Sequence, residues 1–307
     1  MQINNSIVKK NKIINKTVKV LLLLITLLAS SIIIVIIYQI AKSGLKPFFT
    51  SYGGRKVNFF NFIVGTSYNE TNYQIGFIVL NTLYIVFLAV LVSVPISVLT
   101  ALFIVKIAPK KLDKIMTSVI EVLASIPSII YGVFGAGFIT LLVKGIAGIF
   151  NISTAGGLSV LSSVIVLTMM IIPTITMLSI TAIRAVPQSL EEGSLALGAS
   201  RMQTFFNLTL KAAVPGIFAG IILGVGRALG EATAVSMVAG NLSSGPSFSL
   251  FDPTRTLTST ILIGLKETEG LDYDIRFSVG LVLIVVILIV NYILNTIKKR
   301  ISAKYEN

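Results

Sequence analysis

Six long apolar runs dominate the chain, and charged or turn-forming segments separate each run from the next. The runs are Val20–Ala41, Gly76–Val105, Ile115–Val143, Leu158–Ile180, Val214–Gly240 and Phe277–Ile297. About 20 helical residues cross a hydrocarbon core of about 30 Å, whereas a transmembrane strand needs only about 9–11 residues. The pattern therefore predicts an all-α integral membrane protein with six transmembrane helices.

The first run raises a second interpretation, because five lysines and no acidic residue precede it. A cleaved signal peptide has the same charge pattern, but its apolar region is only about 7–15 residues long. Val20–Ala41 contains 22 uncharged residues. We therefore expect an uncleaved first helix.

Composition supports membrane insertion and limits the kinds of catalytic and metal-binding site that the chain can form. Hydrophobic residues make up 54% of the 307 residues and charged residues only 12%, about half the charged share of soluble domains. The chain has no cysteine and no histidine, so thiolate chemistry and the usual zinc ligands are excluded. No GxxxxGK[ST] sequence is present, so we expect no P-loop nucleotide site. Without cysteine and histidine we also expect no catalytic residues, no metal and no cofactor bound by this chain.

The net charge of +13 is explained by where the basic residues lie rather than by nucleic acid. With six spans both termini share one side, and the segments on that side carry sixteen Lys and Arg against eight on the other. The positive-inside rule then predicts cytoplasmic termini. The predicted organisation is a region 1–75 with the basic N-terminus, first helix and outside loop, a core 76–297, and a basic cytoplasmic tail 298–307.

The segment 186–213 lies between the fourth and fifth spans, on the predicted cytoplasmic side. Pro187 suits a first helical turn, Ser189 and Glu192 fit a capping box, and a turn is expected near Gly198–Ser200 before a second helix. An amphipathic helix resting on the membrane surface would explain its apolar residues equally well.

The same segment resembles the EAA-x(3)-G loop of ABC-importer permeases. The resemblance covers Glu192, Gly193, Ser194, Leu197, Gly198 and Ala199. Gly193 and Ser194 replace the two alanines, and Lys211 stands where the family has a proline after Leu210. The resemblance implies a coupling helix that docks in a groove of a cytoplasmic ATPase.

The fifth run is rich in glycine at a spacing of four. Gly216, Gly220 and Gly224 form one series, and Gly226 and Gly230 form another. Small residues at this spacing let helices approach closely in lipid. We therefore expect this helix at the centre of the bundle or at a subunit interface.

Arg227 and Glu231 lie within the same run, four residues apart. A charge near the bilayer centre costs about 2.5–3.5 kcal/mol on insertion scales. The two side chains could form a purely structural ion pair. Alternatively Arg227 lines an anion pathway, because a guanidinium binds phosphate or carboxylate oxygens bidentately. Glu231 could then accept a hydrogen bond from a protonated oxyanion.

Three stretches resemble one permease family specifically: the phosphate-importer permeases of PstC type. They are Gly226-Arg227-Ala228-Leu229-Gly230-Glu231, Leu123-Ala124-Ser125-Ile126-Pro127-Ser128-Ile129-Ile130-Tyr131-Gly132, and Phe62-Ile63-Val64-Gly65-Thr66-Ser67-Tyr68-Asn69. Ser125 replaces a glycine of the family pattern. The resemblance covers residues 60–300 and implies a MetI-like ABC-importer permease core with an extra N-terminal helix.

The resemblance also implies a function and a set of partners. The chain would be a transport subunit in a bacterial cell membrane, moving inorganic phosphate and hydrolysing nothing itself. It would pair with a PstA-type permease, two ATPase subunits that use ATP, an extracytoplasmic phosphate-binding protein and membrane lipid, but no nucleic acid. A permease for another oxyanion stays open, as does a stand-alone secondary transporter, although the chain shows no inverted repeat.

Overall fold

The computed structural model describes the backbone of residues 5–306 and the side chains of residue 12 and residues 14–301. The side chains of Lys9 and Lys10 and the end of the predicted basic tail lie outside these side-chain bounds. Within the described residues the chain is helical, with no strand longer than an isolated bridge. In this part of the chain six helical stretches are long and apolar enough to cross a membrane, as predicted.

The helices follow one another in a simple order. They are α1 Asn5–Phe49, α2 Phe59–Val64, α3 Gly76–Leu102, α4 Lys110–Ser125, α5 Ser128–Phe134, α6 Thr140–Ile149, α7 Val160–Arg184, α8 Gln188–Ala196, α9 Arg201–Thr204, α10 Leu210–Gly230, α11 Thr233–Val238, α12 Leu257–Leu262 and α13 Gly270–Glu306. Three π-helical turns extend α3, join α5 to α6, and join α9 to α10: Phe103–Ile107, Gly135–Ile139 and Phe205–Thr209.

The central layer consists of α3, α7 and α10. Helices α3 and α7 run in parallel, since Thr168 donates to the carbonyl of Ala89 at 3.4 Å and Ser97 to that of Ile172 at 3.2 Å. Helix α10 runs in the opposite direction against α7. We call the end of the bundle that carries α8 and α9 the α8 end, and the end where α3, α7 and α13 begin the α12 end.

Helix α1 lies at the edge of this bundle and packs on α13. Its side chains from 14 to 39 are all exposed, and the contact is made only beyond them. There Ser278 donates to the carbonyl of Gly44 at 2.6 Å, and Lys46 pairs with Asp274 at 2.9 Å. Asp274 also accepts from the Tyr52 hydroxyl. One carboxylate therefore ties both α1 and the loop after it to α13.

The third predicted span is wrong at its beginning. Instead of one helix over Ile115–Val143, helix α4 stops at Ser125 and the membrane-length stretch is Ser128–Ile149. The proline ring of Pro127 disfavours helical backbone at the residue before it, and Ile126 is extended with ψ 125°. Glu121, placed within that span from the sequence, is instead exposed on the separate amphipathic helix α4.

The fifth predicted span is wrong at its end. Helix α10 stops at Gly230, Glu231 is extended with ψ 115°, and α11 starts only at Thr233. The Glu231 carboxylate accepts from the backbone N–H of Ala234 at 2.9 Å. A side chain that caps the next helix competes with continuation of the one before it, and Gly230 favours the break because glycine has a low helix propensity.

The glycine series of α10 pack differently from each other. A Cβ at Gly216, Gly220 or Gly224 would lie 2.5–2.9 Å from Ala182, Leu178 or Ile175 of α7. At Gly226 and Gly230 a Cβ would meet nothing within 4 Å in the described part of the chain. The first series therefore sets the α7–α10 distance, and the second faces away from this chain's own core.

We expect Gly216→Ala to lower stability and Gly226→Ala to leave it unchanged or slightly higher. The added methyl at 216 meets the rigid Cβ of Ala182, and overpacking of this kind costs about 1–3 kcal/mol. The methyl at 226 meets no atom and gains helix propensity. Thermal unfolding of the detergent-solubilised variants, followed by size-exclusion chromatography, checks this. Equal midpoints for the two variants would contradict it.

Candidate functional site

Arg227 lies one turn before the end of α10 and reaches across to α7. Its Nη1 donates a 2.8 Å hydrogen bond to Oγ1 of Thr174, the fifteenth of the 25 residues of α7. The side chain is half-buried, and no carboxylate lies within 4.0 Å of it in the described residues. Space is open beside the backbone of Gly226 and Gly230. The guanidinium is therefore held midway along the bundle with donors to spare.

Glu231 does not form an ion pair with Arg227 within that 4.0 Å limit. One helical turn would have placed both side chains on one face, but the helix ends between them. The Glu231 carboxylate caps α11 through Ala234, and the Glu231 carbonyl accepts from the Thr258 hydroxyl at 2.6 Å. Glu231 therefore fixes the junction of α10, α11 and α12, while Arg227 is anchored on α7.

The chemistry available at Arg227 is oxyanion recognition. A guanidinium carries five N–H donors in a planar fork that matches phosphate or carboxylate oxygens. A cation at membrane depth that lacks a carboxylate partner is expected to face a water-filled cavity or a ligand. The irregular backbone of Glu231 and Ala232 fits the same setting, because non-helical segments at this depth are buried in protein or line a cavity.

The resemblance to the EAA loop falls on an exposed helix and turn. Helix α8 has no buried residue, and Glu192, Gly193 and Gly198 are all exposed. Leu197 is 92% exposed. The turn at Gly198 has φ +87°, a backbone conformation that favours glycine. The predicted order of helix, turn near Gly198–Ser200 and second helix is confirmed.

The capping prediction for this segment was wrong in position. Pro187 occupies the N-cap of α8 without a side-chain cap, and Glu192 accepts from Gln188 rather than capping with Ser189. The capping box lies instead at the start of α9, where Ser200 and Gln203 bond reciprocally. A hydroxyl–hydroxyl hydrogen bond of 3.0 Å between Ser194 and Thr204 holds the two short helices together, and Ala199 is part-buried in the turn.

One ion pair joins this exposed segment to the bundle. The Lys106 ammonium lies 2.6 Å from Oε1 of Glu191, and the two side chains are only 16% and 13% exposed. The same oxygen accepts from the Thr209 hydroxyl at 2.7 Å. A single carboxylate on α8 thus contacts the π-helical turn that extends α3 and the one that leads into α10.

Several of these residues were not found from the sequence. Glu191 is adjacent to Glu192, the residue that matches the family pattern. Lys106 contributed only to the number of basic residues on the predicted cytoplasmic side. Thr174 is one of many threonines within apolar runs. No local sequence pattern indicates that residues so far apart in the chain are in contact, so only the fold identifies these contacts.

Known proteins resemble this chain over most of its length. The family model described as binding-protein-dependent transport system inner membrane component matches residues 93–307. A probable ABC transporter permease protein YqgH of Bacillus subtilis is 37% identical, covering 76% of each chain. The phosphate transport system permease protein PstC of Pasteurella multocida is 32% identical, covering 80% of this chain and 81% of its own.

Solved structures show the same fold. A bacterial ABC transporter involved in the import of the polysaccharide alginate gives a TM-score of 0.61 at 18% identity, covering 94% of this chain and 98% of its own. A chain of the MetNI methionine ABC transporter gives 0.56 at 19%, covering 73% and 94%. At this level of identity the likeness is evidence about the fold only, and it confirms the predicted fold class.

Proposed function

The chain belongs to the family of binding-protein-dependent transport system inner membrane components, and we propose that it acts as the permease subunit of an ATP-driven phosphate importer. The observation that carries the proposal is Arg227, a half-buried guanidinium midway along the bundle without a carboxylate partner among the described residues. Relatives named PstC support phosphate as the cargo, at 30–33% identity over most of the chain.

Phosphate would meet Arg227 in transit. The bond to Thr174 uses one N–H and fixes the plane of the guanidinium, which leaves its other donors for the oxygens of the anion. The Oε1 atom of Glu231 is bonded to Ala234. Its second oxygen could accept the proton of hydrogen phosphate, an interaction that an unprotonated oxyanion could not make.

A single chain does not complete the transporter. We propose that a PstA-type permease pairs with it, that two ATPase subunits bind ATP, and that an extracytoplasmic phosphate-binding protein delivers the cargo. The chain itself would bind no cofactor and hydrolyse nothing. Its apolar outer surface, for example Phe87 and Leu91 on α3, fits contact with lipid or the partner permease.

The orientation follows from the same proposal. The α8 end would face the cytoplasm, with both termini, in a bacterial cell membrane. The exposed side chains of Leu197 and Met202 offer an apolar surface to the ATPase groove. ATP-driven closure of the ATPases would then move segment 186–213 and switch the pathway between outward and inward access. Co-purification of an ATPase with a tagged form of the chain tests whether an ATPase docks on it. A positive result would also argue against a stand-alone secondary transporter.

The function is tested by uptake in cells that lack their own importer and carry the complete operon. We expect saturable, ATP-dependent uptake of radioactive phosphate that excess unlabelled phosphate abolishes and excess sulfate or molybdate leaves unchanged. Competition by sulfate or molybdate at similar concentrations would instead assign the chain to another oxyanion. A strain carrying the operon without this gene is the control.

A further inference from the structure

A cavity at the α12 end, which Arg227 does not line, contains further cationic side chains. The cavity has a volume of about 530 Å³ and is lined by the loop before α3, the loop between α11 and α12, and the start of α13. Two arginines contribute to it, Arg255 and Arg276. Under the proposed orientation this cavity opens on the extracytoplasmic side.

The two arginines differ in how fully they are bonded. Arg276 donates through Nε to Thr268 at 3.2 Å and through Nη1 to the carbonyls of Thr260 and Ile263, so it closes the end of α12. Arg255 stacks over the ring of Tyr68, with Cζ 5.0 Å from the centroid. Its Nε is buried and has no hydrogen-bond partner among the residues that the structure describes.

The carboxylates nearby do not neutralise Arg255. Glu70 and Asp272 line the same cavity, but neither lies within 4.0 Å of the guanidinium in the described residues. Asp272 accepts from the Tyr73 hydroxyl instead. Burial, and then the nearby charge of Arg276, lower the pKa of Arg255 below its ordinary value. Desolvating a cation beside another cation is costly, and an anion in the cavity would remove much of that cost.

We propose that Arg255 binds a small tetrahedral oxyanion, inorganic phosphate, in this cavity before the anion reaches Arg227. The stacked ring of Tyr68 orients the guanidinium, and its two Nη groups, at the accessible end of the side chain, supply the pair of donors that a phosphate accepts bidentately. Ser243 lines the same cavity and offers a hydroxyl donor, whereas the Thr71 hydroxyl already donates to Asn69. The inference rests on the proposed function, since it takes phosphate as the cargo.

The test is protection of Arg255 from phenylglyoxal in the assembled transporter in nanodiscs, without the binding protein. Labelling is quantified by mass spectrometry with inorganic phosphate or with chloride at equal ionic strength. We expect phosphate to slow labelling of Arg255 at least fivefold and to leave that of Arg300, exposed near the end of α13, unchanged. Equal rates in the two salts would overturn the inference.

Protection that needs the binding protein but no phosphate would also overturn it, because the arginine would then bind a protein carboxylate. Uptake by cells carrying the same complex separates this failure from failure of the proposed function. If phosphate is transported and Arg255 is unprotected, only the inference fails. In uptake we expect Arg255→Gln to lower the rate about tenfold at limiting phosphate. Arg255→Lys should restore part of it, and Lys266→Gln, an exposed charge outside the cavity, should match the wild type.

Discussion

Replacing Arg227 by glutamine is expected to abolish phosphate uptake while the transporter still assembles. A bidentate guanidinium–phosphate contact supplies two charge-assisted hydrogen bonds of about 1.5–3 kcal/mol each, so its loss should slow transport about 100-fold or more. Arg227→Lys keeps the charge but not the planar fork, and should restore only part of the rate. Uptake in importer-deficient cells measures the effect, and pull-down of the ATPase checks assembly.

A matched pair of threonine variants tests whether the position of the guanidinium matters. Thr174 accepts from Arg227, whereas Thr176, two residues further along α7, donates to the carbonyl of Ile172 in its own helix. Thr174→Val should therefore lower uptake about 3–10-fold, the cost of about one hydrogen bond, and Thr176→Val should change it little. Normal uptake in Arg227→Gln would show that the arginine supports the helix only, and the assignment of phosphate would rest on the relatives alone.

The apolar runs predicted all six membrane-length helices because burial in lipid requires long uninterrupted apolar segments. The two errors occurred where one side chain overrides that pattern. Ile126, before Pro127, leaves helical backbone, although Pro95, Pro173 and Pro215 lie inside continuous helices. Glu231 caps α11 instead of continuing α10. Both residues lie inside apolar runs, where hydropathy alone indicates one continuous helix. The sequence shows the proline and the carboxylate, but whether each one ends a helix depends on how the helices pack.

Arg227 could be found from the sequence because an unpaired charge in an apolar run is costly wherever it lies. Arg255 could not be distinguished from other basic residues of a polar loop. Its burial, its stacking on Tyr68 and its proximity to the charge of Arg276 depend on residues that are distant in the chain. The same limit applies to Lys106 and Glu191, whose contact exists only because α3 ends beside α8. The sequence predicted a single residue whose burial in the membrane costs free energy. It did not predict contacts between residues that are distant in the chain.

The second large effect is expected at the ion pair of Lys106 with Glu191, and it concerns the coupling of the ATPase to transport. Glu191→Gln should leave the ATPase bound and yet lower uptake at least tenfold. The substitution leaves a largely buried ammonium unpaired, at a cost of order 3 kcal/mol, and loosens α8 from α3. Leu197→Glu changes the exposed apolar surface instead, so it should remove the ATPase from the complex. Uptake and ATPase retention, measured together in both variants, separate docking from transmission.

Two lysine variants complete this test. Lys106→Gln should reproduce the uptake loss of Glu191→Gln, because it breaks the same 2.6 Å contact from the other side. Lys111→Gln removes an exposed charge from the nearby helix α4 and should leave uptake unchanged. If Glu191→Gln lost the ATPase as fully as Leu197→Glu, the carboxylate would belong to the docking surface. If uptake stayed normal in both Glu191→Gln and Lys106→Gln, motion of α8 would reach α3 and α10 without this ion pair, and its expected role in coupling would be wrong.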